Sequence, residues 1–289
     1  MSGGVGVIGV GNMGGAMAAR LLERGVDVVV RDVRAEAEQP LLDLGARRAN
    51  SPAEVAQASS AILVVVVDAK QIDDVLSGDN GLLMALRREH LVLIQSTIAP
   101  AEAARFAAAV HARGALALDA PISGGPERAR AGELSMMVAG SKAAFDRGEP
   151  LFAALARRVF NVGSEPGLGA TMKLVNNLLA GVYLAAGAEA FAIGRAAGLG
   201  AQTMAEVFGA SSGQSWILTD RLARLLAGDQ QPRAQMHILA KDLRLAVDLA
   251  NSVGKTTKLG ADTSALFAAA LAAGLTDADD SALISWAAS

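Results

Sequence analysis

The chain has 289 residues, no cysteine, a formal net charge of −3, 52% apolar residues and 19% charged ones. That composition buries real cores and excludes both a disordered chain and a disulfide scaffold. Three scattered histidines (His90, His111, His237) without cysteines form no zinc-type ligand set, and the absence of a basic run argues against a nucleic-acid partner.

The length suits two domains. The charge-free apolar stretches Leu178 to Ala188 and Ala265 to Leu275 fall short of the roughly 20 residues of a spanning helix. Met1 to Ala19 lacks a basic start and is broken by glycines and Asn12, so it reads as a fold element and not as a signal peptide. A cytoplasmic protein with no membrane partner is expected.

From the amino end to about residue 162, short β-branched runs alternate with alanine-rich helical stretches, the pattern of a parallel α/β domain. The predicted strands are Val5 to Ile8, Val26 to Asp32, Ala61 to Val67, Leu91 to Gln95, Ala115 to Asp119, Leu134 to Ala139 and Val159 to Asn161. Ser51-Pro52-Ala53-Glu54 and Gly140-Ser141 mark helix starts. After Gly163 the β-branched runs cease. A helix of about 30 residues from Gly167 to Gly198 would be ~45 Å long, long enough to bridge two domains or pair with a second subunit. Further helices are predicted near Gln202 to Ala210, Trp216 to Ala227, Arg233 to Ser252, Gly260 to Ala273 and Asp277 to Trp286.

The strongest local signal is Val5-Gly6-Val7-Ile8-Gly9-Val10-Gly11-Asn12-Met13-Gly14, a strand running into Gly-x-Gly-x-x-Gly and then a helix. Gly9 permits the tight turn, Gly11 lets the backbone approach a pyrophosphate, and Gly14 lets helix pack on strand. Asp32, 21 residues after Gly11, is placed to accept from a ribose 2′-OH and to repel a 2′-phosphate, which favours NAD. NADP stays open through Arg34.

On the long helix, Gly169, Lys173, Asn177 and Gly181 recur every four residues, placing an amine and a carboxamide on one face between residues small enough to admit a ligand. Lys173 is the candidate acid/base group, its pKa expected to fall on burial. Asp119 to Pro126 follows a predicted parallel strand, where the Ser123 hydroxyl and the N–H groups of Gly124 and Gly125 could hold a carboxylate. His237 and Lys241 share a helical face. Gly209-Ala210-Ser211-Ser212-Gly213 fits a hydrolase nucleophile pattern but lies between helices, so it reads as a turn.

With these four motifs in order, the whole chain resembles the β-hydroxyacid dehydrogenase family, and within it the L-threonate dehydrogenase branch. The branch cues are Val64 to Gln71, Ser215-Trp216, Asp220-Arg221, Gly228-Asp229, Pro232-Arg233 and Asp279 to Ala282. The resemblance implies an α/β Rossmann domain over residues 1–163 with a doubly wound, mostly parallel sheet. It also implies an all-helical domain of the 6-phosphogluconate dehydrogenase type over 164–289, with the active site in the cleft between them.

On this resemblance Lys173 is catalytic. Ser123, Gly124, Gly125, Asn177 and Gln214 contact substrate, and Gly9, Gly11, Asn12, Met13, Gly14, Asp32, Val67, Thr97 and Lys241 contact the cofactor; no metal is involved. Asp68 and Gln214 depart from the branch pattern and are placed to bind hydroxyls of a polyol chain. The expected activity is hydride transfer between NAD and a small hydroxy acid, L-threonate or a related aldonate first, by a homodimer or homotetramer. 3-Hydroxyisobutyrate dehydrogenase, glyoxylate or tartronate semialdehyde reductase, imine reductase and a non-catalytic NAD-binding protein are the alternatives.

Overall fold

The computed structural model describes residues 3–229 and 231–288, and the chain divides into two compact units, Met1–Lys173 and Leu174–Ser289. The first unit alternates strand and helix: β1 (Val5–Ile8), α1 (Asn12–Glu23), β2 (Val28–Arg31), α2 (Ala35–Asp43), β3 (Arg47–Arg48), α3 (Pro52–Ala58), β4 (Ala61–Val64) and α4 (Ala69–Ser77). It continues with β5 (Leu91–Ile94), α5 (Pro100–His111), β6 (Leu116–Asp119), β7 (Ile122–Ser123), α6 (Gly125–Ala131), β8 (Leu134–Ala139), α7 (Lys142–Leu155) and β9 (Ala156–Gly163).

The strands lie in the order β3-β2-β1-β4-β5-β6-β8-β7, with β9 beside β8. Every pairing from β3 to β6 is parallel, β8 runs antiparallel to β6 and β7, and β9 is parallel to β8. The order reverses between β1 and β4. That switch point is where open sheets bind ligands, beyond the carboxyl ends of the strands.

β1, β4 and β5 are buried at every residue, which is why their sequences carry unbroken apolar runs in place of alternation. One face packs on Met17, Leu21 and Phe152, the other on Ile72, Phe106 and Val110. Ser51 and Ser141 cap α3 and α7, each hydroxyl accepting from a backbone N–H three residues on at 3.2 Å. Two strands have no counterpart in the sequence pattern, β3 and β7. Each has two residues, too few to show a period, and exists only because a neighbouring strand offers hydrogen bonds.

α8 (Leu168–Ala196) contains the division between the units at Lys173 and Leu174. The second unit continues with α9 (Ala201–Ala210), α10 (Trp216–Leu226), α11 (Met236–Ser252), α12 (Lys258–Ala270) and α13 (Ala282–Ala287). Its core gathers Leu184, Leu218, Leu222, Leu243 and Phe267. Of the Gly209–Gly213 segment, Gly209 and Ala210 end α9, and Ser211, Ser212 and Gly213 form the turn that leads to α10.

Two expectations need correction. The last helix begins at Ala282 and not at Asp277, because the Asp279 carboxylate accepts from the backbone N–H groups of Arg233, Ala234 and Ser281 and so holds its own segment outside the helix. The run Leu178 to Ala188 is short, yet α8 around it has 29 residues and a mean hydropathy of 1.3 over its most apolar window, so by length and composition this one helix could cross a membrane. Of that window 39% is buried within the protein.

Candidate active site

β1 ends in a turn that only glycine permits. Gly9 has φ +86°, and a Cβ there would lie 2.3 Å from the Val65 carbonyl oxygen, just past the end of β4. A Cβ on Gly14 would lie 1.9 Å from the Gly9 oxygen, so loop, helix and strand are in backbone contact. Gly11 differs, because the nearest atom to a Cβ there is Arg34 Nη2 at 3.5 Å. No side chain caps α1 at Gly11, and Gly11 and Asn12 at its start line a cavity of about 460 Å³ together with Val10, Gly15, Arg34, Glu36 and Arg130. An uncapped helix N-terminus beside a glycine with open space fits a pyrophosphate.

Asp32, 7% exposed, follows β2 and reaches back to the same loop. Its Oδ2 accepts from the Val10 N–H at 2.8 Å and its Oδ1 from the Arg34 N–H at 3.0 Å. Arg31 pairs with Glu38 at 3.5 Å and donates to the Asp32 carbonyl oxygen, while Arg34 Nε lies 3.5 Å from the Asp32 carboxylate. The carboxylate thus holds the glycine loop in shape, a role the sequence did not disclose.

Val67 and Thr97 lie just beyond β4 and β5, Val67 exposed and Thr97 half-buried. The Val67 N–H donates to Gln71 Oε1 at 2.9 Å. Asp68 serves as the N-cap of α4, its Oδ1 accepting from the Gln71 N–H at 2.9 Å.

Ser123 lies in a strand and not in a free loop, paired with Ser135 of β8. The chain leaves that strand through Gly124 (φ +140°) and Gly125 (φ +77°) into α6. Four residues before Ser123, Asp119 ends β6 and receives the first turn of α8: its Oδ2 accepts from the Gly167 N–H at 2.8 Å and the Ala170 N–H at 2.9 Å. Lys173 follows one turn later, 8% exposed although its side chain carries an amine. Its apolar neighbours in sequence divide, Leu174 being buried while Met172 and Val175 are exposed.

In the second unit Asn177 Nδ2 donates to Asp242 Oδ2 at 2.7 Å, and Lys241 Nζ donates to Asp242 Oδ1 at 2.8 Å. Asp242 is 2% exposed and joins the two residues that the motifs single out. Gln214 is exposed in the turn before α10. His237 Nδ1 lies 3.0 Å from the Thr276 carbonyl oxygen. The glycines flanking Lys173 and Asn177 do not hold space for a ligand. A Cβ on Gly169 would lie 2.5 Å from the Asp119 oxygen and one on Gly181 would lie 2.6 Å from Leu243 Cδ2, so each admits packing.

The branch cues also come together in the second unit. Arg221 pairs with Asp280 and, at 2.6 Å, with Asp220, while Arg224 pairs with Asp279 at 2.6 Å. The pairs to Asp279 and Asp280 are structural and tie α10 to the turn before α13.

Residues 4–163 match the NAD binding domain of 6-phosphogluconate dehydrogenase, and residues 167–287 match the NAD-binding domain of NADP-dependent 3-hydroxyisobutyrate dehydrogenase. An L-threonate dehydrogenase of Escherichia coli O6:H1 is 38% identical over 281 residues, 97% of this chain and 93% of the relative. The chain belongs to the β-hydroxyacid dehydrogenase family.

Other β-hydroxyacid dehydrogenases agree with that placement. The 3-hydroxyisobutyrate dehydrogenase of Pseudomonas aeruginosa is 36% identical over 267 residues, covering 90% of this chain and 89% of its own. The crystal structure of a 3-hydroxyisobutyrate dehydrogenase from Salmonella typhimurium superposes with a TM-score of 0.91 at 36% identity, over 98% of this chain and 99% of that one. This β-hydroxyacid dehydrogenase is an oxidoreductase that uses NAD or NADP on a hydroxy acid. Two acids central to its architecture, Asp119 and Asp242, escaped the sequence reading as functional residues. Each stands inside a motif already noted, yet its partner lies dozens of residues away.

Proposed function

We propose that the protein oxidises a small polyhydroxy acid, L-threonate or a related aldonate, with NAD and with Lys173 as general acid/base. Lys173 carries this reading, being a lysine buried to 8% exposure on the helix turn seated against the end of β6. Bound at the glycine loop of Gly9, Gly11 and Gly14, NAD would supply the hydride acceptor for the carbon that bears the hydroxyl. Lys173, as the neutral amine, takes the hydroxyl proton as the carbonyl forms, and in the reverse direction its ammonium returns that proton.

Ser123 and the N–H groups of Gly124 and Gly125 are assigned to the substrate carboxylate. Asn177 is assigned to the reacting oxygen, and Gln214 to a further hydroxyl. Gly9, Gly11, Asn12, Met13, Gly14 and Asp32 are assigned to the adenosine and pyrophosphate end of the cofactor, and Val67, Thr97 and Lys241 to the remainder. Residues 1–163 are assigned as the cofactor domain, which also lends Ser123, Gly124 and Gly125 to the substrate, and 164–289 as the substrate and assembly domain, which also lends Lys241 to the cofactor. NAD is preferred because the carboxylate at position 32 is assigned to the ribose 2′-OH and would repel a 2′-phosphate.

Threonate is favoured by the 38% identity to L-threonate dehydrogenases and by the polar side chain of Gln214. A homodimer or homotetramer is supported by the apolar side chains that α8 exposes, among them Val175 at 50%, Leu179 at 51% and Ile193 at 70%; light scattering of the purified protein checks it.

The deciding experiment is a steady-state panel of L-threonate, D-glycerate, 3-hydroxyisobutyrate and 3-hydroxypropionate with NAD, and of glyoxylate and tartronate semialdehyde with NADH. The highest kcat/KM is expected with L-threonate. A preference for 3-hydroxyisobutyrate over every polyhydroxy acid would overturn the choice.

A further inference from the structure

We propose that Asp119 is a positioning residue for Lys173, its carboxylate fixing the start of α8 against the end of β6, the strand end from which the Ser123–Gly125 segment departs. The inference rests on Lys173 being the acid/base group.

Asp119 is 1% exposed and is the last residue of β6. Its Oδ2 takes two N–H groups of the first turn of α8, from Gly167 at 2.8 Å and Ala170 at 2.9 Å. These are orphan donors of a helix N-terminus, and a negative charge there also meets the positive end of the helix dipole. The seat is made closer by Gly169, which has no Cβ to strike the Asp119 carbonyl oxygen or the carboxyl carbon, 2.5 and 2.9 Å from where a Cβ would stand. Lys173 is four residues on from Gly169 and therefore on the same face of the helix.

Four other helices of this protein carry a local hydroxyl cap. Ser51, Ser141, Ser215 and Thr257 each accept from the N–H three residues ahead. A local cap stabilises a helix but does not say where the helix stands. Asp119 accepts across 48 and 51 residues, so its bonds set where the first turn of α8 lies relative to the sheet.

Burial raises the Asp119 pKa above the ordinary carboxylate range, against the lowering effect of the bonds from Ala170, Gly167 and Gly169. Its Oδ1 is buried without a hydrogen-bond partner among the described residues. That is a costly arrangement for a cap alone.

The test compares Asp119→Ala, Asp119→Asn and Lys173→Ala, with NAD and whichever acid of the panel has the highest kcat/KM. Cofactor affinity is read separately by fluorescence titration. Asp119→Ala is expected to lower kcat at least tenfold, with KM and the NAD Kd within threefold of the parent. The deuterium isotope effect on kcat is expected to rise, because misplacing the amine slows the chemical step. Asp119→Asn keeps an acceptor for both N–H groups and is expected to recover most of kcat.

If Asp119→Ala does not fold, Gly169→Ala takes its place, since it displaces the same seat without removing the carboxylate; the same loss of kcat is expected. A kcat within twofold of the parent in the folded displacing variant, or an Asp119→Asn enzyme as impaired as Asp119→Ala, overturns the inference. So does a loss of kcat accompanied by equal weakening of NAD binding, the signature of a merely structural role. Near-normal turnover in Lys173→Ala instead overturns the proposed mechanism, whatever the Asp119 variants do.

Discussion

Asn177 Nδ2 on α8 donates to Asp242 Oδ2 on α11 at 2.7 Å, while Asn177 Oδ1 accepts from Asn176 Nδ2 at 3.2 Å, and the two bonds together orient the carboxamide. The other Asp242 oxygen is occupied by Lys241, so the amine and the carboxamide share one buried anion. Asn177→Ala and Asp242→Ala are therefore expected to be non-additive. A double-mutant cycle on kcat/KM should show a coupling of about 1 to 3 kcal/mol, the range for residues in one hydrogen-bonded network. A coupling near zero would separate the two residues functionally.

Lys173→Ala should lose ~10² or more in kcat, the usual contribution of a positioned acid/base group. NAD affinity, measured by fluorescence titration, should be unchanged. Methylamine added to the variant should restore part of the rate, with the pH dependence of the added amine.

The kcat/KM with NAD should exceed that with NADP by at least about tenfold, since an anion at position 32 opposes a 2′-phosphate. Asp32→Ser should narrow that ratio. The same substitution removes a carboxylate that accepts from the Val10 N–H at 2.8 Å, so it should also lower stability by about 1 to 3 kcal/mol in thermal unfolding. A variant with an unchanged cofactor ratio would show that Asp32 serves the loop alone.

Acid should release the ion pairs of the second unit in a defined window. Burial works to raise the Asp279 pKa, but the Arg224 guanidinium and the bonds from Ser281 and Ala234 outweigh it and hold the pKa at about 2, below the ordinary 3.8. A group with a depressed folded pKa stabilises fully above its unfolded pKa and loses that contribution as pH falls through the folded one. Between pH 4 and pH 2, Tm followed by circular dichroism should fall more steeply for the parent than for Asp279→Asn. Near neutral pH the variant should be the less stable of the two.

Much of the first unit was legible in order. β1 and the glycine loop show in the sequence because their constraint is local: Gly9 needs its positive φ and Gly14 needs a bare Cα, each set by atoms nearby in space that the motif itself implies. The buried strands show because burial on both faces writes an unbroken apolar run. β3 and β7 do not show, since two residues carry no period. The face holding Lys173 and Asn177 was read from the spacing of α8, but the purpose of its glycines was not: Gly169 and Gly181 admit Asp119 and Leu243, whose approach depends on chain far away.

The sequence by itself determined the alternation of strand and helix, the dinucleotide loop, the helical second half and the family, because each is encoded by periodicity or by residue types at short spacing. Only the tertiary structure decided what the carboxylates do. Asp32 braces the glycine loop, Asp119 seats α8, Asp242 joins Asn177 to Lys241, and Asp279 keeps its own turn out of the last helix. The physical reason is range: a charge has the same letter wherever it stands, and a buried carboxylate takes its role from the N–H groups and cations that folding brings to it.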